Sequence, residues 1–293
     1  MSTHNRARWM IISAMAIWGT IGYFVRNIAV SSAELALYRA VMAALLLTGY
    51  FVCTRTRISL RAIGKELPLL LLSGMAMGVN WILLFQAYRY TTVSMATLSY
   101  YFAPVIVTVT CPILFREKMT GKQILCFVMS TAGLVMITGL GASGGRDLIG
   151  ILFGLGAAVF YAGVVLLNKF IQNVDGIHRT FLQFLAAAVV LTPYVMLTDG
   201  VTLGSLDMAG WGNLLIVGIV HTGVTYCLYF SSLKDLPGQK AAILSYIDPL
   251  VAVLVSVLFL GEGLTLWQAI GGGLILGFTL WNEVSPKVGG CRK

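Results

Sequence analysis

Ten stretches of about 20 mainly apolar residues, separated by short charged or Gly/Pro/Ser-rich breaks, set the terms on which this chain can fold. They run over 9–29, 33–53, 67–89, 91–114 and 121–140, then over 148–170, 178–198, 209–232, 239–260 and 264–283. A helix needs about 20 apolar residues to cross about 30 Å of hydrocarbon, and only helices or closed barrels satisfy their backbone groups there. The pattern predicts an all-α integral membrane protein of ten transmembrane helices. Composition points the same way: 58% of the residues are hydrophobic, 11% are charged and the mean hydropathy is +0.87, too little polar surface to coat a water-soluble globule. The expected surroundings are therefore a lipid bilayer.

A net charge of +9 would suggest a nucleic-acid partner in a soluble protein, but here the basic residues sit in the breaks, so no nucleic acid is expected. With the N-terminus placed in the cytoplasm, sixteen of the 20 Lys and Arg fall on the inner side, from Arg6 and Arg8 through Arg55, Lys65 and Lys122 to Lys293. Only Arg26, Arg89 and Arg146 fall outside, and Arg39 lies within the second span. Basic residues favour cytoplasmic loops, and one missed span would scramble the bias. The reading is a multi-pass protein of the cell (plasma or inner) membrane with both termini cytoplasmic. The apolar run after His4–Arg8 is too long for a signal peptide and lacks a small-residue cleavage motif, so it is expected to remain as the first helix. Cys53, Cys111, Cys126, Cys227 and Cys291 show neither disulfide nor zinc spacing and read as small apolar residues. No cofactor or metal motif is present in the sequence.

An offset of 145 residues aligns Ala96 with Ala241, Tyr101 with Tyr246, Pro104 with Pro249, Glu117 with Glu262, Thr120 with Thr265 and Gln123 with Gln268. The pattern E-x-x-T-x-x-Q thus opens the fifth helix and the tenth alike. Five is odd, so two such halves cross the membrane in opposite senses, as two inverted five-helix repeats. The expected units are residues 1–140 and 146–285, joined by a short flexible external linker in the Gly139–Gly145 segment.

On Trp18-Gly19, Tyr38-Arg39-Ala40, Ala103-Pro104-Val105 and the paired Glu117 and Glu262, the chain resembles the EamA-like ten-helix branch of the drug/metabolite transporter superfamily across essentially its whole length. The resemblance implies a central cavity lined mainly by helices one, three, four, six, eight and nine, alternating access, and export or exchange of small metabolites, amino acids among them. One departure is Asp248-Pro249 where the first half has Ala103-Pro104, which sets any symmetric binding site in question.

A carrier needs polar groups deep in its apolar helices. Asp248, about halfway along the ninth helix, could bind a substrate amine or carry a proton; it could also cap backbone freed by Pro249 or pair internally. Arg39 could grip a carboxylate with its planar fork, pair with Glu34 or snorkel to the headgroups, the second helix being expected at the periphery. His221 could shuttle protons or make one structural hydrogen bond. Trp18, Trp81, Tyr100, Tyr101, Tyr161 and Tyr226 would suit an aromatic wall for an amphipathic solute, or ordinary packing. Asn80 completes the polar set. Pro104 and Pro249 each remove a helical hydrogen bond and could serve as gates or as static kinks. Gly271–Gly273 with Gly277 reads as close internal packing, or as the seam of a possible homodimer.

Gly154-Leu155-Gly156 lacks the third glycine of a nucleotide fingerprint, and no Walker motif occurs, which argues for coupling to a gradient or for exchange. The reading is therefore a secondary transporter, not an enzyme, acting on a small-molecule substrate such as an amino acid. An intramembrane enzyme acting on lipid or isoprenoid substrates is the alternative; it would want clustered acid and base groups at one depth. A receptor gives no reason for an inverted repeat.

Overall fold

The computed structural model describes residues 3–55, 60–115, 119–140, 145–174, 176–198, 200–233, 235–236 and 238–284. Glu117 and residues 141–144 of the linker lie outside the described residues. Helices α1 (Asn5–Arg26), α2 (Ser32–Thr54), α3 (Ile63–Tyr90), α4 (Val93–Leu114), α5 (Gly121–Thr138), α6 (Gly145–Phe170), α7 (Gly176–Thr198), α8 (Met208–Leu233) and α9 (Lys240–Phe259) are each long and apolar enough to cross a membrane. The tenth, α10 (Leu266–Val284), is long enough but less apolar, carrying Gln268, Thr279, Asn282 and Glu283. These are the ten spans the sequence predicts, with modest shifts: α1 begins at Asn5 rather than residue 9, and α3 at Ile63 rather than 67.

The T-x-x-Q element shared by the two halves has a physical meaning. Thr120 Oγ1 accepts from the Gln123 backbone N–H at 3.3 Å while Gln123 Oε1 accepts from the Thr120 N–H at 2.8 Å. Thr265 and Gln268 repeat the exchange at 3.2 and 2.9 Å. Both α5 and α10 therefore open on reciprocal capping boxes, which satisfy backbone donors that hydrocarbon could not. Packing follows the same symmetry. Helix α4 lies on α9, α5 on α10 and α2 on α7, while α3 packs on α6 and α7 as α8 packs on α1 and α2. The rings of Tyr101 and Tyr246, equivalent residues of the two halves, meet at 6.3 Å, which puts the pseudo-twofold axis between them.

Close approach is written into two glycine positions. A Cβ on Gly133 or on Gly271 would stand 2.5 Å from the other's carbonyl oxygen, so α5 and α10 touch backbone to backbone. Gly272 packs on Leu98, whereas Gly273 and Gly277 face open space, so the glycine run of α10 serves internal packing on one side only. Cys53, Cys126 and Cys227 are free thiols, and Cys291 lies outside the described residues.

Three spans are interrupted. Helix α1 breaks at Thr20, α4 at Tyr101–Phe102 and α9 at Ser245–Tyr246. Pro104 and Pro249 sit in the first turn of the segments that restart at Ala103 and Ile247. There a missing N–H costs little, because the first-turn donors of a helix have no intrahelical acceptor. The prolines thus mark the start of new helical segments rather than kinks in continuous helices, which corrects the mid-helix reading of both. Helix α8 relaxes into a π-helical stretch over Ile216–Val224, around His221.

Candidate functional site

The two breaks face each other across the pseudo-twofold axis. The Tyr101 hydroxyl, at the break of α4, donates to Asp248 Oδ2 at 2.7 Å and approaches the Ser245 carbonyl oxygen at 3.4 Å, at the break of α9. The second carboxylate oxygen, Oδ1, makes no hydrogen bond among the described residues, and the side chain is partly exposed. Asp248 is thus neither a simple backbone cap nor a fully satisfied pair. Helix α1 reaches this place through Gly19: a Cβ there would stand 2.6 Å from the Asp248 carbonyl oxygen and 2.6 Å from Val251 Cβ.

Aromatic side chains frame the carboxylate. Tyr101 meets Tyr100 at 5.9 Å between ring centroids, and Tyr100 meets Tyr161 of α6 at 5.5 Å. On the other side Trp18 packs edge-on to Tyr226 of α8 at 5.1 Å, and Tyr226 packs against Phe184 of α7 at 5.2 Å. Phe184 then meets Trp81 of α3 at 5.5 Å, and the Arg39 guanidinium carbon lies 4.6 Å from the Trp81 ring centroid. Tyr161 is 42% exposed, and Trp18, Tyr100, Tyr101 and Tyr226 are partly exposed although they come from interior-facing helices. These rings, several with hydroxyls, run contiguously beside Asp248, a chemistry matched to a solute with an apolar body and polar ends.

Arg39 departs from the peripheral expectation. It is 6% exposed and turns inward from α2, whose opposite side carries Leu45 and Val52 toward lipid. Glu34 is not its partner: that carboxylate accepts from the Tyr38 hydroxyl, from the Thr202 N–H at 2.6 Å and from the Thr202 hydroxyl. Snorkelling is excluded by the same burial. The reason for the inward turn is the flat Trp81 face on α3, which offers the guanidinium a cation–π shelf.

Two candidates are bound into the helix packing. His221, 1% exposed, has Nε2 2.8 Å from Thr20 Oγ1, which ties the π-stretch of α8 to the break of α1, and Nδ1 3.3 Å from the Ile216 carbonyl oxygen within the stretch itself. The single structural bond weighed for it becomes two. Asn80, 2% exposed, donates through Nδ2 to the Ala157 carbonyl oxygen at 2.7 Å and so holds α3 on α6. Phe184, 0% exposed, is the buried ring behind the site that sequence reasoning missed. It carries no polar atom and belongs to α7, so only its contacts with Trp81 and Tyr226 identify it.

The two ends of the interior differ. In α4, every residue from Val93 to Ser99 is buried, whereas Pro104 and Ile106–Thr110 are all partly exposed. In α8, Tyr226–Ser231 are partly exposed throughout. Burial thus differs along these two helices: the half of α4 nearer the face where α1 ends is fully covered and the halves nearer the N-terminal face only partly, while Ala7, Ile11 and Met15 of α1 stay buried against Leu236 and Ala241 on that face. The face where α1 ends is also laced. Arg26 forms an ion pair with Glu262, and donates from Nε to the Tyr88 carbonyl oxygen at 2.8 Å and from Nη2 to that of Thr91 at 2.6 Å. Glu262 also accepts from the Val93 N–H at 2.9 Å and from the Ser256 hydroxyl. One ion pair thereby joins the ends of α1, α3 and α9 to the start of α4.

Known proteins place this architecture. The model of the EamA-like transporter family matches the chain twice, over residues 5–139 and 148–282. An uncharacterized transporter, YxxF, of Bacillus subtilis strain 168 is 29% identical over 265 residues, covering 89% of this chain and 84% of its own. An uncharacterized transporter of Archaeoglobus fulgidus is 30% identical over 279 residues, covering 93% and 95%. Protein PecM of Dickeya dadantii strain 3937 is 27% identical over 273 residues, covering 88% and 86%. A solved crystal structure superposes with a TM-score of 0.65 at 17% identity, covering 94% of this chain and 96% of that one, which speaks to the fold alone.

Proposed function

Because this chain belongs to the EamA-like transporter family, and is a multi-pass membrane transporter by that membership, we propose that it is a secondary transporter that exports or exchanges small organic metabolites, such as amino acids, by alternating access. The observation that carries this reading is Asp248: a half-satisfied carboxylate at the facing breaks of α4 and α9, beside the pseudo-twofold axis, within an aromatic frame. An ionised carboxylate is costly at that depth, by about 3 kcal/mol or more, unless an interior partner compensates it. Tyr101 supplies one hydrogen bond, and a cationic group of the cargo, or a proton, supplies the remainder.

The repeats 1–140 and 146–285 are the two halves of the machine. Their rocking about the axis between Tyr101 and Tyr246 would part the packed half of α4 from α1 and α9 while covering the other half. The restarts at Pro104 and Pro249 are the places where each crossing can flex, since no continuous hydrogen-bond ladder runs through them. The N-terminal face is the cytoplasmic one in this reading, supported by the basic bias of its loops. In this reading the membrane is the cell membrane.

The enzyme alternative would need acid and base groups working on one atom. Asp248 and His221 belong to separate hydrogen-bonded pairs, with Tyr101 and with Thr20, which speaks for the carrier.

Counterflow into liposomes holding the purified protein, across amino acids, aromatic amines, sugars and nucleotide derivatives, tests the proposal. Saturable exchange of one class, reduced at least about tenfold by Asp248→Asn, is the expected result. Exchange indifferent to that change removes Asp248 from the site, and no exchange of any class removes the transport reading.

A further inference from the structure

We propose that Arg39 is the anion-binding half of the transport site, and that the cargo carries a carboxylate which docks on its guanidinium fork. This rests on the carrier reading above. A guanidinium has five N–H donors and cannot shed its proton. Of Arg39's five, only Nε–H has an acceptor, Thr222 Oγ1, at a long 3.4 Å. Nη1 and Nη2 make no hydrogen bond among the described residues, and no carboxylate forms an ion pair with them. A cation 94% removed from surroundings and lacking a counter-ion is poorly placed in an apolar interior unless an anion visits it.

The surroundings are shaped for such a visitor. Trp81 lies flat beneath the guanidinium at 4.6 Å and Phe85 flanks it at 5.8 Å, so the ring face fixes the plane of the fork. Trp81 in turn meets Phe184, and Phe184 meets Tyr226, which joins Arg39 through ring contacts to the aromatic frame beside Asp248. A planar fork whose Nη groups are unengaged accepts a carboxylate by two parallel charge-assisted bonds, which a lysine cannot reproduce. The site then holds one positive and one negative pole, Arg39 and Asp248, on separate helices. A cargo with a carboxylate at one end loads it without leaving the guanidinium uncompensated, and its apolar body would meet the partly exposed Tyr100 and Tyr226 rings.

The test is counterflow with the full-length protein in liposomes, using four probes that share one ring: phenylalanine, 3-phenylpropanoate, phenethylamine and phenylalaninamide, with glucose as an uncharged comparison. The expected result is exchange of phenylalanine or 3-phenylpropanoate, with phenethylamine and phenylalaninamide at least about tenfold weaker. Arg39→Lys should raise the half-saturating concentration of the carboxylates by about tenfold or more, with the protein eluting as a monodisperse species and with Trp81 emission shifted by loss of the stacked guanidinium. Arg39→Gln, where it folds, should do the same. Amine probes exchanged as well as phenylalanine, or carboxylate half-saturation unchanged in a folded Arg39→Lys, overturns the proposal while leaving the transport reading intact. Exchange of glucose but of no carboxylate overturns it likewise. No exchange of any probe by the wild type overturns it together with the carrier reading for this chemistry.

Discussion

Gly19 shows how much a single residue can decide in this fold. It lets α1 lie against the Asp248 carbonyl and Val251, and its neighbour Trp18 is thereby set edge-on to Tyr226, with its indole N–H donating to the His221 carbonyl oxygen at 2.7 Å. Gly19→Ala should force α1 and α9 apart, lowering stability by about 1–3 kcal/mol, measurable as a reduced unfolding temperature in detergent. Tyr101→Phe removes the one hydrogen bond that Asp248 Oδ2 accepts among the described residues while keeping the ring. We expect exchange to fall by about tenfold with the fold retained, since a hydrogen bond to a charged group contributes about 1.5–3 kcal/mol. Unchanged exchange would mean that Asp248 is held by packing alone. Asp248 and Tyr101 were legible as candidates because polar groups in apolar helices are conspicuous. Their partnership was not, since they lie in different halves of the chain. Phe184 could not be singled out at all, being one phenylalanine among many apolar residues.

At the scale of helices, the ends do most of the fastening. The capping boxes of α5 and α10 replace water where the chain re-enters lipid. Thr120→Ala and Thr265→Ala should each cost about 1 kcal/mol, in line with other N-cap losses. The ion pair of Arg26 with Glu262 stands where α1, α3, α4 and α9 end or begin, and an exposed pair alone would contribute little. Its extra bonds to Tyr88, Thr91, Val93 and Ser256 make it a clasp on the face where α1 ends. Glu262→Gln should shift the protein toward opening there. The check is the rate at which an impermeant thiol reagent reaches Ser94→Cys with Cys53, Cys111, Cys126, Cys227 and Cys291 replaced by Ser. We expect a rise of about tenfold, and an unchanged rate would leave closure to the packing of Val93–Ser99 alone. The T-x-x-Q pattern was visible in the sequence as a repeat mark. The role of Glu262 was not, because the partner Arg26 has no equivalent in the second half, where Ile171 stands at the matching place.

For the whole molecule, an even number of crossings returns the chain to the face it started from. Arg6→Cys should react with an impermeant thiol reagent only after cells are permeabilised, and Ser205→Cys should react in intact cells. The reverse pattern would invert the orientation. The number of spans, their approximate limits, the basic bias and the repeat were all determined by the sequence itself. The reason is that lipid imposes one long-range rule, about 20 apolar residues per crossing with charge kept at the faces, and that rule is written locally along the chain. The tertiary structure alone decided that α2 sends Arg39 inward onto Trp81, that His221 grips Thr20 of α1, and that Val93–Ser99 of α4 are buried throughout. In a chain this apolar every helix face reads alike, so which face meets which is settled by side-chain shape and hydrogen bonding between residues far apart in sequence, not by any pattern a single helix carries.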